Sequence, residues 1–459
     1  MPIRYFNTMT REKDEFRPIE DGKVRLYTCG PTVYDYAHIG NWRTYLFEDL
    51  LRRHLEYRGF EVVHVMNLTD VDDKTIRGAN TQHISLNEYT APFIEGFFED
   101  RDTLNVLPAH VYPRATEHVP EMIAIIKALL DKGLAYKADD GSVYFDISKF
   151  PGYGKLSHFR MDELKSGARV ASDEYEKAQV SDFALWKAWD EADGSVFWET
   201  DLGKGRPGWH IECSAMSSKY LGQPFDIHTG GVDNIFPHHE NEIAQSEASC
   251  GCGFVNYWLH SEHLQVDGRK MSKSLGNFHT LRDVIARQYD PLAFRYLGIS
   301  AHYRSKLNFT WQTMDAAQTT VENLYDFMGR LDREQSGGME DAVERAKNEF
   351  GEALDDDLNS PVALAAVFTL IKEVNSRGGG GREVYDAMVS FDRVLGLDLV
   401  ERAAPAEAEI PPEIESLVAG REVARQMRDW ATSDHIRDEL AAKGYIVEDT
   451  PDGPRVKRK

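Results

Sequence analysis

The chain has 459 residues, enough for two or three domains with separate hydrophobic cores. With 42% apolar and 11% aromatic residues, the composition excludes an intrinsically disordered protein. The net charge of −23 argues against non-specific nucleic-acid binding over the whole surface, although a local basic region is compatible with it.

The sequence also sets expectations about the compartment. No apolar run approaches the length of a membrane span, and no export signal is recognisable at the N-terminus. We therefore expect a cytoplasmic protein with no membrane partner. In that compartment the four cysteines should be reduced, and available for metal binding or chemistry rather than for disulfides.

The first strong element is an apolar run from Val24 to Tyr27, which predicts a buried strand that ends at Gly30-Pro31. A helical pattern begins near His38. A strand, a glycine-bearing turn and a helix N-terminus favour an anion site, because free backbone N–H groups and the helix dipole face the ligand. The turn adds the thiol of Cys29. By itself, this segment is equally compatible with an ordinary turn that buries a cysteine.

Alternating strand and helix patterns over residues 1–150 predict a parallel α/β sheet. A strand at 60–66 ends in a polar loop, where we expect the acidic residues to cap a helix around Asp72 and Asp73 rather than to bind a cation. Helical patterns at 86–104 and 117–133 precede a hairpin with its turn at Asp139-Asp140-Gly141. Glycine, proline and tryptophan interrupt residues 150–208, which we interpret as an insertion between two sheet halves.

The second sheet half follows this insertion. A helix is predicted from Trp209, strands at 225–228 and 258–266, and a helix near Pro237; from Leu281 onward helical patterns dominate. A linker at 403–412, a helical pair and one short strand at 445–448 end the chain. The predicted fold is α/β: a Rossmann-like parallel-sheet domain at 1–300 with an insertion at about 115–205, an α-helical bundle at 301–402, and a linker with a small C-terminal unit at 403–459.

A metal site is the first chemical hypothesis. His238 and Glu242 are four residues apart and so share one helix face. Zinc accepts imidazole, carboxylate and thiolate together, so Cys29 and Cys213 would complete a set of four ligands. A metallohydrolase is also conceivable, although the His-Glu-x-x-His order is absent. The rival ligands are Cys250 and Cys252, whose spacing is short for one tetrahedral site.

The second hypothesis concerns the run Lys270-Met271-Ser272-Lys273-Ser274. Two ammonium groups three residues apart, accompanied by serine hydroxyls, suit a mobile loop that clamps polyphosphate. The ammonium groups would stabilise the negative charge that the phosphate oxygens gain during the reaction. The plain alternative is a solvated basic loop. The five-residue string is far more specific than a random pair of lysines.

Together, His38-Ile39-Gly40-Asn41 and Lys270 to Ser274 resemble the paired signatures of class I aminoacyl-tRNA synthetases. Longer strings are similar to the cysteinyl-tRNA synthetase family in particular, and the similarity extends over essentially the whole chain. These strings lie at residues 27–35, 206–214, 225–228 and 236–242.

The resemblance implies an enzyme that activates cysteine with Mg-ATP and transfers it to the terminal adenosine of tRNA-Cys. One zinc ion per chain, held by Cys29, Cys213, His238 and Glu242, would select the substrate thiolate over the serine hydroxyl. The amino-acid pocket would contain Thr69, Trp209 and His228; the ATP-binding and catalytic residues would be His38, Gly40, Asn41, Lys270, Ser272 and Lys273.

One position departs from the family pattern, because Asn41 stands where a second histidine is usual. An asparagine can donate a hydrogen bond to phosphate but cannot carry a positive charge. We therefore expect Asn41 to contribute less to transition-state stabilisation than a histidine would, and the family assignment is not affected.

Two alternatives stay open at this point. One is the related ligase that joins cysteine to a glucosaminyl-inositol in mycothiol synthesis; the other is an inactive RNA- or metal-binding module. The helical region 311–459 favours tRNA, and we expect a monomer whose C-terminal unit reads the anticodon. The candidate residues for that contact are Arg421, Arg425, Arg428 and the basic tail 455–459.

Overall fold

The computed structural model describes residues 2–159, 182–272, 276–403, 411–450 and 453–458. The chain divides into two compact units, Met1–Arg402 and Ala403–Lys459. Among the described helices, none combines the length and the apolar composition needed to cross a membrane.

A four-stranded parallel sheet lies at the centre of the first unit. The strand Phe225–Gly231 pairs on one side with Val255–Ser261 and on the other with Lys23–Thr28, which in turn pairs with Glu61–Met66. The strand order reverses between Lys23–Thr28 and Phe225–Gly231, which lie side by side. In open α/β sheets, ligands bind at such a point, beyond the carboxyl ends of the strands. The predicted Rossmann-like α/β class is confirmed.

The helix Ile39–Tyr57 connects the first two strands of this sheet and is buried along most of its length. It packs in one hydrophobic core with the helix Pro291–Ser300. Gly298 permits this approach, since a Cβ there would lie only 2.7 Å from Cδ1 of Leu46. Met66 belongs to this first core, whereas its neighbour Val65 belongs to a second core. Because successive side chains of a strand point to opposite faces, the two cores cover opposite faces of the sheet.

Buried charges fasten the helix Ile39–Tyr57 to its neighbours. The carboxylate of Asp49 accepts hydrogen bonds from the Nε atom of Arg53 at 2.7 Å, from Arg295, and from the backbone N–H of Leu107 at 2.8 Å. The two guanidinium groups hold the pKa of Asp49 below its usual value, against the opposing effect of burial. The N-terminus of this helix is the candidate phosphate site, and these contacts of Asp49 hold the middle of the helix in place.

The insertion between the sheet halves contains an antiparallel five-stranded sheet. It confirms the hairpin predicted around Asp139-Asp140-Gly141, but three of its strands fall in a region where the sequence predicted none. Glycine and proline within Gly203–Pro207 hid the period-two pattern, because neither residue contributes a typical strand side chain. In spatial order the strands are Ala135–Lys137, Val143–Phe145, Phe183–Ala188, Gly203–Pro207 and Trp198–Thr200. Residues 160–181 of the predicted insertion lie outside the described residues.

Two predicted elements are divided in the structure. The single strand expected at 258–266 is two strands, Val255–Ser261 and Leu264–Val266. The single helix expected at 281–299 is interrupted before Pro291, which occupies the first turn of a new helix, while Asp290 caps that helix by accepting from the N–H of Leu292 at 2.9 Å.

The helix cap expected around Asp72 and Asp73 is confirmed, and the helix that it begins, whose length the sequence did not predict, is Asp73–Gln82. The remaining α-helices of the first unit are Leu86–Thr103, Val119–Asp131, Trp209–Leu221, Glu240–Cys250, Leu281–Ala286, Trp311–Arg330, Glu340–Asp355, Ser360–Ser376, Arg382–Leu395 and Leu399–Arg402. Short 3-10 helices are Ala115–Glu117, Ile147–Lys149, Glu191–Asp193 and Val232–Asn234, and a π-helical turn is Ile235–His239. Small strands are Arg4–Asn7, Glu12–Glu15, Arg269–Lys270 and Leu307–Phe309.

The second unit consists of two helices, Pro412–Gln426 and Trp430–Ala442, and a two-stranded hairpin. Its small core contains Ile414, Val418, Leu440 and Val447. The sequence predicted one strand here, whereas Tyr445–Thr450 pairs with Gly453–Arg458. The charged residues of the tail concealed the second strand.

Candidate active site

Three parts of the chain bring the four predicted metal ligands together. Cys29 directly follows the strand Lys23–Thr28, Cys213 lies in the helix Trp209–Leu221, and His238 and Glu242 flank the junction at which the helix Glu240–Cys250 begins. One ligand atom from each of the four residues lies within 4.8 Å of all the others. The structure thus places the predicted set in one cluster at the switch point of the sheet.

A glycine in the first turn makes this arrangement possible. A Cβ at Gly30 would lie 1.8 Å from the backbone oxygen of Asn67, so that any other residue would push the turn away from the neighbouring strand end. The backbone N–H of Cys29 also donates to the carbonyl oxygen of Thr229 at 3.3 Å. The thiol is therefore held between two strands rather than on a free loop.

The donor set fits a metal ion. The Nε2 atom of His238 lies 3.0 Å from Oε1 of Glu242. Nevertheless, this buried oxygen has no hydrogen-bond partner among the described residues, so the two groups converge without the geometry of a hydrogen bond. Tetrahedral zinc places its ligand atoms roughly 3.3–3.8 Å apart, which is compatible with four donor atoms that all lie within 4.8 Å of one another.

The electrostatics of the four residues agree with this fit. The pKa of the Cys213 thiol lies well below its usual value, because Cys29 donates a hydrogen bond to its sulfur and His238 lies beside it. Burial raises the pKa of the Glu242 carboxyl well above its usual range, and the neighbouring Cys213 adds to this effect. A bound cation would favour the charged forms of both residues.

A second set of four donors overlaps the first. Cys29 and Glu242 also lie within 4.8 Å of ring nitrogens of His228 and His239. His239 was visible in the sequence only as part of a histidine pair, and His228 only as a pocket residue. The sequence therefore predicted one of the two possible metal-binding sets.

Further histidines surround the cluster, and sequence reasoning missed them. His210 Nδ1 is 3.0 Å from His238 Nδ1, and His260 Nε2 is 2.8 Å from His239 Nδ1. Burial lowers the pKa of His210 well below its usual value and that of His260 to about 3. In the sequence, His210 belongs to a predicted helix and His260 to a predicted strand, and neither pattern distinguishes them from ordinary core histidines.

The predicted amino-acid pocket borders the metal cluster. Trp209 is half-buried and stacks on the His238 ring, with ring centroids 4.3 Å apart. His228 stacks on Trp258 at 4.7 Å, and its Nε2 atom lies 3.0 Å from Oε2 of Glu242. Thr69 is buried beside Glu212, the residue that precedes Cys213. Trp209 and His228 therefore contact members of the donor set, and Thr69 contacts the residue next to Cys213.

The two signature segments also meet in the structure. The backbone N–H of Ile39 donates to the carbonyl oxygen of His279 at 2.9 Å. A Cβ at Gly40 would lie 2.9 Å from the His38 ring and 3.0 Å from Cε of Met271, so glycine is required for this approach. Beyond Met271, the N–H of Ser272 donates to Oδ1 of Asn277 at 2.8 Å. Lys273 and Ser274 lie outside the described residues.

Asn41 has a structural contact that the sequence did not predict. Its Oδ1 atom accepts from the N–H of His38 at 3.1 Å, while Nδ1 of His38 accepts from the N–H of Asn41 at 3.0 Å. This reciprocal capping box satisfies two backbone donors at the start of the helix. The His38 ring is therefore directed by the helix that it caps.

Replacing Asn41 with alanine should lower the stability of the first unit by about 1 kcal/mol, because the N–H of His38 loses its acceptor. Thermal unfolding measures this change. Asn41→Asp is the matched control, since its carboxylate can accept from the same N–H at a helix N-terminus and should retain the wild-type stability. An equal loss in both variants would contradict the capping role.

The expectation that all four cysteines are reduced is wrong for one pair. Cys250 and Cys252 form a disulfide bond at the end of the helix Glu240–Cys250, whereas Cys29 and Cys213 are free thiols. A turn at Gly251, in the left-handed conformation at φ +79°, brings the two sulfur atoms together. This bond removes Cys250 and Cys252 as rival ligands.

Comparison with known families matches almost the whole chain. The model for the class I tRNA synthetase (C) catalytic domain covers residues 15–319. A DALR domain matches residues 349–399, and a cysteinyl-tRNA ligase anticodon binding domain matches residues 407–456.

Solved structures share the fold at low sequence identity. The methionyl-tRNA synthetase of Mycobacterium tuberculosis in complex with methionyl-adenylate superposes with a TM-score of 0.60 at 13% identity, covering 83% of this chain and 91% of that chain. The ternary LeuRS–tRNA–LeuAMS complex of Agrobacterium radiobacter K84 gives 0.60 at 12% identity, covering 84% and 85%. The fold and the catalytic-domain match define the chain as an enzyme, a class I aminoacyl-tRNA synthetase.

Full-length relatives specify the family. A cysteine–tRNA ligase of Protochlamydia amoebophila is 50% identical over 472 residues, covering 100% of this chain and 98% of the relative. Another, of Chlamydia felis, is 51% identical over 467 residues, covering 99% and 97%. The chain belongs to the cysteine–tRNA ligase family. The mycothiol ligase does not need a domain that binds tRNA. The match of residues 407–456 to an anticodon binding domain therefore does not favour that alternative.

Proposed function

We propose that the chain is a zinc-dependent cysteine–tRNA ligase that forms cysteinyl-adenylate from cysteine and Mg-ATP and transfers the cysteinyl group to tRNA-Cys. The observation that supports this most directly is the convergence of Cys29, Cys213, His238 and Glu242 within 4.8 Å. These residues would hold the zinc ion. When bound, the ion would supply a Lewis acid that prefers the substrate thiolate to the serine hydroxyl.

The neighbouring side chains would orient the amino acid. Trp209 offers an aromatic face next to His238, and His228 lies on the far side of Glu242. The third pocket residue, Thr69, is fixed by its backbone N–H, which donates to the carbonyl oxygen of Pro31 at 3.0 Å. A pocket built from fixed rings and one buried backbone segment loses little entropy on closing around a small substrate.

ATP would bind along the first signature. The helix N-terminus at His38 and Gly40 would face the phosphates, with Asn41 completing the cap rather than supplying charge. Lys270 and Ser272 follow on the adjacent segment, and Lys273 belongs to the same basic string. As negative charge develops on the phosphate oxygens, the two ammonium groups would stabilise it.

Replacing Lys270 with alanine should slow adenylate formation by about 10²-fold, equivalent to roughly 3 kcal/mol of lost transition-state stabilisation. Cysteine-dependent ATP–pyrophosphate exchange measures the rate, and equilibrium binding of cysteine should change little. Arg269→Ala provides a neighbouring loss of charge as control. A normal exchange rate combined with weak cysteine binding would contradict the assigned role.

The second unit is the proposed reader of the anticodon. Trp430 is 58% exposed and Met427 is 78% exposed, an unusual exposure for large apolar side chains. The guanidinium of Arg425 lies 6.0 Å from the centre of the Trp430 ring. Exposed aromatic and arginine planes are the surfaces on which unpaired RNA bases stack.

The predicted arginine set needs one correction. Arg421 is buried, with 4% of its surface exposed, so it is not available to bind RNA. Arg425 remains in the proposed contact, together with Trp430. The basic tail 455–459 stays a candidate for the same contact on the strength of its sequence.

The domain assignment follows from these roles. Residues 1–300 would form the catalytic domain with the insertion at about 115–205, residues 301–402 the helical bundle, and residues 403–459 the linker and anticodon-binding unit. We propose that the protein is cytoplasmic and that it acts as a monomer. The monomer is supported by the origin of the first signature and the complete donor set in one chain.

The deciding experiment is a tRNA-charging assay with purified protein, in which cysteine and serine are compared at equal concentration. We expect charging with cysteine alone. ATP–pyrophosphate exchange with cysteine, without charging of tRNA, would identify a cysteine-activating enzyme with another acceptor. Absence of both reactions would contradict the proposal.

A further inference from the structure

We propose that Arg282 is a positioning residue for adenylate formation, because it anchors the segment behind the second signature to the turn that begins the first. We name this segment, residues 277–283, the connecting segment. Arg282 lies outside both signatures. The inference rests on the proposed function, in which Lys270 stabilises the charge that develops on phosphates bound near His38.

Asn277, the first residue of the connecting segment, binds the second signature. Its Nδ2 atom donates to the carbonyl oxygen of Lys270 at 3.1 Å, and its Oδ1 atom accepts from the backbone N–H of Ser272 at 2.8 Å. One side chain thus holds the backbone of the signature at two positions. The position of the Lys270 backbone is therefore linked to the position of the connecting segment.

The connecting segment also touches the first signature. His38 and Thr280 form an isolated antiparallel bridge, in which the N–H of Ile39 donates to the carbonyl oxygen of His279 at 2.9 Å. The rings of His38 and Phe278 meet edge to face, with centroids 5.2 Å apart. Short strands that pair alone are only marginally stable in water, so this contact needs a further anchor.

Arg282 supplies this anchor. Its Nη1 atom donates to both carboxylate oxygens of Asp100, at 2.8 and 3.0 Å, and its Nη2 atom donates to Oε2 of Glu99 at 2.8 Å. The guanidinium also lies over the ring of Tyr36, 4.2 Å from the ring centre, only two residues before His38. Charge-assisted hydrogen bonds and a cation–π contact therefore hold the connecting segment to the first signature.

The surroundings of the guanidinium are shaped for it. Asp100 is buried, and burial raises the pKa of its carboxyl to about 6, although Arg282 opposes this shift. A Cβ at Gly96 would lie 2.6 Å from Cε1 of Tyr36 and 3.0 Å from Nη2 of Arg282, so glycine permits the approach. Phe93 packs on the same tyrosine ring, with centroids 5.3 Å apart. The guanidinium thus lies between a fixed aromatic ring and a buried carboxylate.

Replacing Arg282 with alanine should lower kcat for ATP–pyrophosphate exchange by about 10²-fold, because a small displacement of a charged group weakens its effect on the transition state. The KM for cysteine should not change, since the proposed cysteine pocket does not contain the connecting segment. Transfer from preformed cysteinyl-adenylate to tRNA should keep its rate, because pyrophosphate has left before that step. Arg282→Lys should recover only part of kcat, since lysine lacks the planar group that stacks on Tyr36.

A second variant separates positioning from stability. Arg282→Ala leaves the carboxylate of Asp100 buried without its cation, which lowers stability. Adding Asp100→Asn should restore the thermal stability but not the exchange rate. The matched control is Arg287→Ala, which removes a guanidinium stacked 3.9 Å from the centre of the Trp311 ring and should keep the wild-type rate. Recovery of the exchange rate in the double variant, or equal slowing of activation and transfer in Arg282→Ala, would overturn the proposal.

The anchor has a separate readout in amide hydrogen exchange of the full-length chain without substrates. The N–H of Ile39, which donates to the connecting segment, should exchange faster in Arg282→Ala than in the wild-type chain or in Arg287→Ala. Unchanged protection of Ile39 would refute the anchor, whatever the activity of the protein. A wild-type chain without cysteine-dependent ATP–pyrophosphate exchange would instead contradict the proposed function.

Discussion

Replacing Cys213 with alanine should remove the tightly bound zinc ion and most of the selectivity for cysteine. The wild-type chain should contain this ion as purified, and the variant should not, because only three ligands remain and one of the two soft thiolates is lost. Without a metal, the pocket must separate cysteine from serine by shape alone. Binding pockets distinguish such near-isosteres by only about 10²-fold.

Metal analysis of the purified protein, together with ATP–pyrophosphate exchange for the two amino acids, measures both effects. Cys250→Ala is the matched control, because it removes a sulfur from the same helix as Glu242 but outside the cluster. The control should keep the wild-type zinc content. An undiminished zinc content in the Cys213 variant would show that the ion is bound elsewhere.

A chain that ends after Arg402 should activate cysteine at the normal rate and yet charge tRNA poorly. The first unit contains the complete donor set and both signatures, and it has its own cores. The second unit carries Trp430 and Arg425, and each base stacked on an aromatic side chain contributes about 1–3 kcal/mol. Loss of two or three such contacts would lower kcat/KM for tRNA by about 10²-fold or more.

Exchange and charging assays at matched salt measure the two activities of the truncated chain. In the full-length chain, Trp430→Ala should reproduce part of the charging defect through weaker tRNA binding, while Val423→Ala, another exposed apolar residue, serves as control. Equal charging by the truncated and complete chains would show that the second unit does not read tRNA.

The sequence determined the class of the fold and the chemical types of the site. Strand and helix periods in the first 66 residues predicted the sheet, because a buried parallel sheet requires continuous apolar strands. The spacing of His238 and Glu242 predicted a shared helix face, since this relation is local. Local patterns were therefore sufficient to predict the sheet and the shared helix face of two candidate ligands.

Tertiary structure alone decided which donors meet. Cys29 and His239 are 210 residues apart in sequence, and only the pairing of the strands brings their side chains to 3.3 Å. The same holds for His210 and His260, which local patterns present as ordinary core histidines. Contacts between distant segments depend on the order of the strands in the sheet and on close approach at glycines. The hydrophobic periodicity of a single strand or helix predicts neither of these features.

The capping role of Asn41 and the burial of Arg421 show the same limit. The family resemblance implied a phosphate donor at Asn41, and the position of Arg421 in the C-terminal helical pair suggested an RNA contact. In the structure the asparagine caps its own helix, and the arginine lies inside the second unit. The direction of a polar side chain is decided by the packing around it, so the sequence determined the available chemistry while the tertiary structure decided where it is used.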